Sequence, residues 1–350
     1  MSEYIHPYRD VEFVINQLVG FDQLCSEAGL EEINAELASV ILTEAGKLGS
    51  EVLAPLNVVG DTQGAKLGAD GVEETPGFAD AYRQYMENGW ASLTASDTYG
   101  GQQLPNLLGT AVNEIWQSAN LAFALCPLLN QGAIEAIVHH GSDTLKQTWL
   151  PHMVSGAWTG TMNLTEPDAG SDLAAVKTKA VPNGDHYLIT GQKIFITWGD
   201  HQMTDNVVHL VLARLPDAPA GVKGISLFVV PKFILDENGE PSVRNDAHCV
   251  SLEHKLGIHG SPTCVMSFGD NEGAVGYLVG EAHNGLACMF TMMNHARQGV
   301  GLQGVALAER SYQQALAYAK ERLQGTRRDG SRFPIIEFPD VRRMLMQMKA

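Results

Sequence analysis

The feature that most limits the fold is a change of hydrophobic period along the chain, from helical to two-residue spacing and back. From Met1 to about Trp158 apolar residues recur at helical spacing. Val11, Val14, Ile15 and Leu18 share one predicted face, Ile33, Leu37, Val40 and Ile41 another, with Leu48 and Val52 following. Asp61 to Pro76 is rich in Gly, Asp and Thr and is predicted as a loop. Helical spacing resumes at Phe78–Trp90, Leu107–Leu125 and Thr144–Met153. Between Thr159 and Val279 the chemistry is that of strands. Val176, Thr178 and Ala180 alternate with Lys177 and Lys179, and Asn183-Gly184 signals a hairpin before Tyr187, Ile189, Ile194 and Ile196. Val207–Leu212 and Ile225–Val230 are β-branched runs, and Asn238-Gly239 marks another turn.

Short strands this close together, with no helix between them, predict an antiparallel barrel or sandwich rather than βαβ units. The third zone has no proline between Pro262 and Pro334, and Leu286, Met289, Met293, Ala296, Val300 and Leu307 trace one face of a long helix ending near Leu323. A loop, Gly325–Pro334, leads to a helix at Pro339–Ala350, where the sequence offers no partner for Met344, Leu345 and Met348. The expected protein is therefore α+β. An N-terminal all-α domain (1–158) precedes a central antiparallel β-barrel or sandwich (159–279) and a C-terminal α-helical bundle (280–350), expected to be incomplete at Ala350.

A formal net charge of −17 argues against nucleic acid and anionic lipid as partners, since both require a basic footprint. The five cysteines, Cys25, Cys126, Cys249, Cys264 and Cys288, are scattered and never spaced as CxxC. That predicts reduced thiols in a cytoplasmic protein and no metal site. The N-terminus has no apolar signal-peptide core, and no stretch reads as long and apolar enough to cross a bilayer.

Gly299-Val300-Gly301-Leu302-Gln303-Gly304 fits GxGxxG, with Glu321 at about the distance of a ribose contact. A dinucleotide fingerprint follows a strand and opens a helix, whereas this one sits within helical sequence, so its glycines are expected to serve helix packing. Met162–Asp172 (MNLTEPDAGSD) is more informative. Gly170 and Ser171 let backbone N–H groups approach an anion, the Ser171 hydroxyl adds a donor, and Thr165 offers a hydroxyl to a heteroaromatic edge. An ordinary turn would explain this stretch alone. In Gly191–Gly199 (GQKIFITWG), alternation places Phe195 and Thr197 on one side of a strand, an aromatic and a hydroxyl suited to a flavin. An ordinary core strand would explain that stretch alone.

Together, in this order and spacing, the two stretches resemble the acyl-CoA dehydrogenase family, with its TEPxAGSD and GxKxWIT motifs, and the likeness extends over nearly the whole chain. Tyr4–Phe13, Leu252–Cys264 and Phe338–Ala350 are similar to a bacterial branch that includes methylmercaptopropionyl-CoA and related long-chain dehydrogenases. The resemblance implies three domains, helical, β and helical. It implies FAD as cofactor, with Met162, Thr165 and Thr197 lining the flavin ring and Gly170 and Ser171 meeting the pyrophosphate and the CoA arm. Phe195 stands where many members have Trp, which keeps the ring face and removes an N–H. Asn294-His295-Ala296-Arg297 matches the segment at the pantetheine arm, with Asn294 where relatives often carry Asp; a solvent-facing salt bridge would also account for Arg297. Glu321–Gly325 resembles the family's turn toward the FAD of a neighbouring subunit, and this makes Arg322 and Gln324 cofactor-binding.

The implied activity is α,β-dehydrogenation of an acyl-CoA thioester. The implied partners are the acyl-CoA substrate, an electron-transfer flavoprotein as acceptor, and further copies in a homodimer or homotetramer. No residue here is assigned as catalytic: the family's glutamate base is expected beyond Ala350, and the chain alone is expected to turn over poorly. A non-catalytic acyl-CoA- or flavin-binding relative, a truncated remnant, and an acyl-CoA oxidase on the same scaffold are the alternatives.

Overall fold

Apolar periodicity becomes helix wherever local chemistry supplies an end. The computed structural model describes residues 4–350; Met1–Glu3, at the head of the first zone, lie outside the described residues. Its helices before the sheet are α1 (Tyr8–Phe13), α2 (Phe21–Glu27), α3 (Ala35–Lys47), α4 (Ala54–Gln63), α5 (Phe78–Glu87), α6 (Asn106–Ala119), α7 (Leu121–His140) and α8 (Asp143–Ser155). The Asn34 side chain accepts the Leu37 N–H to start α3, and Ser142 does the same for Leu145 at α8. Gly156, at φ 86°, ends α8.

Periodicity located these helices but misjudged their faces. On α3 the buried side chains are Ala38, Leu42 and Ala45, while Val40 is 56% exposed and Leu37 is exposed as well. Small residues admit neighbours more closely than large ones, so the contact stripe follows the alanines. Likewise Val11 and Ile15 are buried, whereas Val14 and Leu18 are exposed. The predicted Asp61–Pro76 loop is also corrected. Its start belongs to α4, and β1 (Lys66–Gly68) and β2 (Gly71–Glu73) pair within it. The glycines permit that hairpin: a Cβ on Gly71 would come within 2.5 Å of an Asp200 carboxylate oxygen, which accepts the Val72 N–H. A further correction concerns α7, whose 20 residues are long and apolar enough to cross a membrane by length and composition. Its side chains are mostly buried within the protein, and Pro127 and Asn130 lie inside it.

The strands that follow are β3 (Trp158–Asn163), β4 (Lys179–Asn183), β5 (His186–Thr197), β6 (Asn206–Arg214), β7 (Ile225–Pro231), β8 (Phe233–Leu235), β9 (Pro241–Arg244), β10 (Ala247–Leu252), β11 (Thr263–Phe268) and β12 (Ala274–Val279). Strands β5, β12, β7, β6 and β4 pair in sequence, and β4 returns to β5, which closes a ring. β3 extends the sheet beyond β6, and β11 and β10 extend it from the second half of β5. The barrel expectation holds, but the sheet is mixed: β3 and β4 both run parallel to β6. Parallel neighbours need long crossovers, which local hairpin signals cannot reveal. The strand expected from Val176 begins at Lys179 instead, because Asp172 caps a short turn at Leu173–Ala175.

The β-branched runs are apolar on both faces because both faces are covered. Val211, Ala213, Phe228 and Val230 point into one cluster with Ile189, Phe268 and Ala274. Val208, Leu210, Leu212, Leu227 and Val229 point into another with Ile134, Trp149 and Met153 from α7 and α8.

Helix α9 (Gly285–Glu321) then runs for 37 residues. A side chain at Gly285 would strike the β7 backbone, 2.2 Å from the Ser226 carbonyl carbon. Leu286, Met289, Met293 and Ala296 are buried or half-buried as expected, but Val300 and Leu307 are exposed. The GxGxxG glycines lie inside this helix. Gly299 abuts Leu128, with only 2.4 Å for a Cβ, while Gly301 and Gly304 face open space, so packing explains the first alone. The predicted loop after α9 is a hairpin of β13 (Leu323–Thr326) and β14 (Arg332–Pro334). On α10 (Pro339–Lys349), Met344 and Met348 are exposed but Leu345 is buried, contrary to expectation, and Lys349 bonds Asp10 and Glu309.

By contacts the chain divides into two compact units. Unit 1 comprises residues 1–55, 107–121 and 300–350; unit 2 comprises 56–106 and 122–299 and contains the barrel and both apolar clusters.

Candidate active site

Between β3 and β4 the chain forms a tight loop in unit 2, in which Glu166 and Ala169 exchange backbone hydrogen bonds of 3.0 Å. Its carboxylate anchors it. Glu166 Oε1 accepts from Lys193 Nζ (2.8 Å), Thr178 Oγ1 (2.6 Å) and the Thr178 N–H (3.0 Å), and Oε2 accepts from the Lys177 N–H (2.6 Å). Lys193 is fully buried and donates also to the Leu164 carbonyl at 2.9 Å. Burial lowers the Lys193 ammonium to about 8, against the pull of Glu166. Burial alone would raise Glu166, but the Lys193 charge and the donors around it hold the carboxyl below the usual range.

Strand β5 meets this loop where the Ile194 N–H bonds the Thr165 carbonyl at 2.9 Å. There the strand bulges. Lys193 pairs with Met266 and Ile196 with Cys264, so Ile194 and Phe195 together oppose Val265. Phe195 takes φ 60° and is 58% exposed, which breaks the simple alternation that put it level with Thr197. A bulky residue at positive φ with its ring in solvent is uncommon and is imposed by its surroundings. Thr197 is half-buried and pairs with Thr263 on β11. Trp198, at φ 53°, turns inward, donates its indole N–H to the Ala122 carbonyl at 3.0 Å and stacks on Phe78.

Thr165, Glu166 and the Phe195 bulge are thus held by one network. Met162 lies half-buried on β3 just before the loop, against the larger apolar cluster. Gly170 and Ser171 are exposed, and among the described residues neither backbone N–H has a hydrogen-bond partner. A Cβ on Gly170 would meet only Thr165 Cγ2, at 3.9 Å, so internal packing does not demand glycine there. Free N–H donors, threonine hydroxyls and an outward aromatic form a donor set that fits a flavin dinucleotide.

Asn294 and Arg297 are exposed on α9 in unit 2. The Asn294 amide oxygen accepts from the Arg297 guanidinium at 3.0 Å, and the guanidinium also lies over the Phe290 ring. Arg322 and Gln324 belong to unit 1, where Arg322 donates to Gln324 Oε1 at 3.1 Å. No group of His, Cys, Asp or Glu among the described residues could hold a metal ion. The residues that sequence reading missed are Lys193 and Gly191, both inside the second motif. Nothing in the local pattern marks Lys193, whose partner Glu166 stands 27 positions away.

Three models match along the chain: the acyl-CoA dehydrogenase N-terminal domain at residues 65–157, middle domain at 161–271 and C-terminal domain at 283–350. The chain is 51% identical over 351 residues to 3-methylmercaptopropionyl-CoA dehydrogenase of Ruegeria pomeroyi, covering 99% of this chain and 59% of that protein. It is 37% identical over 368 residues to a butyryl-CoA dehydrogenase of Syntrophomonas wolfei, covering 100% of this chain and 59% of that one. The chain therefore spans about three-fifths of the length of these curated relatives. Among solved structures, Caenorhabditis elegans ACDH-11 in complex with C11-CoA superposes with a TM-score of 0.79 at 20% identity, over 100% of this chain and 58% of that one, a likeness of fold alone.

Proposed function

We propose that this chain, which belongs to the acyl-CoA dehydrogenase family, holds FAD on the Thr165–Ser171 loop and the Phe195 bulge and serves the conversion of an acyl-CoA to its 2-enoyl-CoA. The observation that carries this reading is the unbonded Gly170 and Ser171 N–H groups on a loop that is tied, through the Thr165 carbonyl and the Ile194 N–H, to the strand carrying an outward aromatic at positive φ. Bound there, FAD supplies the acceptor for the hydride that leaves the β-carbon. Met162, Thr165 and Thr197 orient the ring, Phe195 covers it, and Gly170 and Ser171 hold the diphosphate through backbone donors. Asn294 and Arg297 meet the CoA arm, while Arg322 and Gln324 reach the FAD of a second copy in a homodimer or homotetramer.

Abstraction of the α-proton requires a carboxylate with a free lone pair. Glu166 does not fill that role, because its oxygens already accept four hydrogen bonds. It belongs to the seat of the cofactor. An electron-transfer flavoprotein would be the acceptor of the electrons that bound FAD collects.

The test is anaerobic mixing of the FAD-loaded protein with saturated acyl-CoAs, following flavin absorbance. The names of the relatives put 3-methylmercaptopropionyl-CoA and butyryl-CoA first in that panel. Bleaching by a thioester, slow because no residue here is assigned as the base, followed by recovery with electron-transfer flavoprotein rather than oxygen, is expected. No FAD uptake would remove the reading, and recovery by oxygen alone would make the protein an oxidase.

A further inference from the structure

We propose that the buried Lys193–Glu166 pair is a positioning device that sets the Thr165–Ser171 loop in register with the Phe195 bulge, and thereby seats FAD. The proposal rests on the flavin reading and assigns a task to residues that reading leaves without one. Stability is a weak reason to keep such a pair. An ammonium and a carboxylate with side chains 0% and 6% exposed each lose their hydration, and apolar side chains of similar volume often do as well or better. Fixing a register is the better attested use of a buried ion pair.

The geometry supplies the register. Glu166 accepts from Lys193 on β5 and from Lys177 and Thr178 at the far end of the β3–β4 connection, and Lys193 donates in turn to the Leu164 carbonyl at its near end. Both ends of the loop are thereby tied to β5 two residues before Phe195. Gly191 belongs to the same device. At φ 157° its missing Cβ would lie 2.4 Å from Thr178 Oγ1, so glycine lets that hydroxyl reach the carboxylate. The bulge keeps Phe195 at φ 60°, a conformation that persists only where its surroundings over-determine it.

The experiment compares Lys193→Met, Glu166→Gln and the double variant. Melting temperature, FAD affinity by flavin fluorescence, visible circular dichroism of bound FAD, and exchange in the flavin-free protein of the hydrogen-bonded Ala169 and Ile194 amides are measured. Each single change leaves a buried group unmatched, so both stability and affinity should fall. The double variant should melt within a few degrees of the parent, yet bind FAD at least tenfold more weakly, with altered dichroism and faster exchange. Parental FAD affinity in the double variant overturns the proposal. Should that variant fail to fold, Thr178→Val removes one donor without exposing a charge. It should raise the FAD Kd several-fold at unchanged melting temperature, and an unchanged Kd overturns the proposal. A parent that binds no FAD refutes the flavin reading instead; the flavin-free exchange rates then decide, and equal rates in parent and double variant overturn the register.

Discussion

Unit 2 buries a larger share of its big apolar side chains than unit 1 does. In unit 2 the barrel strands are covered on both faces, and Phe228, Ile189, Trp149 and Trp158 are all but inaccessible. Unit 1 holds about a third of the residues but most of the large exposed hydrophobics, among them Leu18 at 68%, Val305 at 56% and Met346 at 73%. It also has a cavity of about 680 Å³ lined by Val11, Ile15, Leu107, Ala111, Val305 and Met348. Sequence pattern and burial therefore agree better in unit 2 than in unit 1. An apolar stripe states what a helix can bury, whereas burial also depends on what is placed against it.

The largest expected difference between the units is in side-chain truncation. Phe228→Ala opens a cavity between two covered faces and should cost about 3–5 kcal/mol. Val305→Ala, on the exposed side of unit 1, should stay within about 0.5 kcal/mol. Urea midpoints measure both, and equal losses would erase the distinction.

Acid should separate the units next. Burial pushes His201 and His209 in unit 2 down to about 3, and His6 in unit 1 down to about 4. Between these values and 6.5 the unfolded chain binds protons that the native chain refuses, so stability rises with pH and is lost as pH falls below 6.5. Each histidine contributes a slope of about 1.4 kcal/mol per pH unit in that window. Amide exchange followed from pH 6.5 to 4.5 should show protection falling more steeply in unit 2, and equal slopes would contradict the assignment of these imidazoles as neutral.

A smaller effect would sharpen the comparison from the other side. Arg322→Ala, in unit 1, should weaken FAD retention about tenfold, roughly 1.4 kcal/mol, through loss of a forked donor to phosphate. Mixed oligomers containing a subunit with intact Arg322 should regain part of that loss. Unchanged retention would leave the cofactor to unit 2 alone.

What was legible in the sequence was whatever is encoded locally. Asn183-Gly184 and Asn238-Gly239 sit at turns with their glycines at φ 67° and 85°, and the β-branched runs became β6 and β7. The two motifs were visible as motifs, and the structure packs one against the other through Thr165 and Ile194. Hidden were pairings across long stretches of chain: β3 beside β6, Glu166 with Lys193, and the bulge at Phe195. Each is settled by a partner that no window of neighbouring residues contains, and a bulge erases the alternation by which a strand is recognised.

The ring also has a history in time. Strand β12 fills the place between β5 and β7, so the barrel cannot close until Val279 has been made, although β5 is finished at Thr197. At about 5–20 residues per second on the ribosome, β5 and β7 present unpaired edges for several seconds. For this chain the hazardous interval is birth: nascent-chain chaperones should govern its yield by guarding that wait, whatever the stability of the closed barrel.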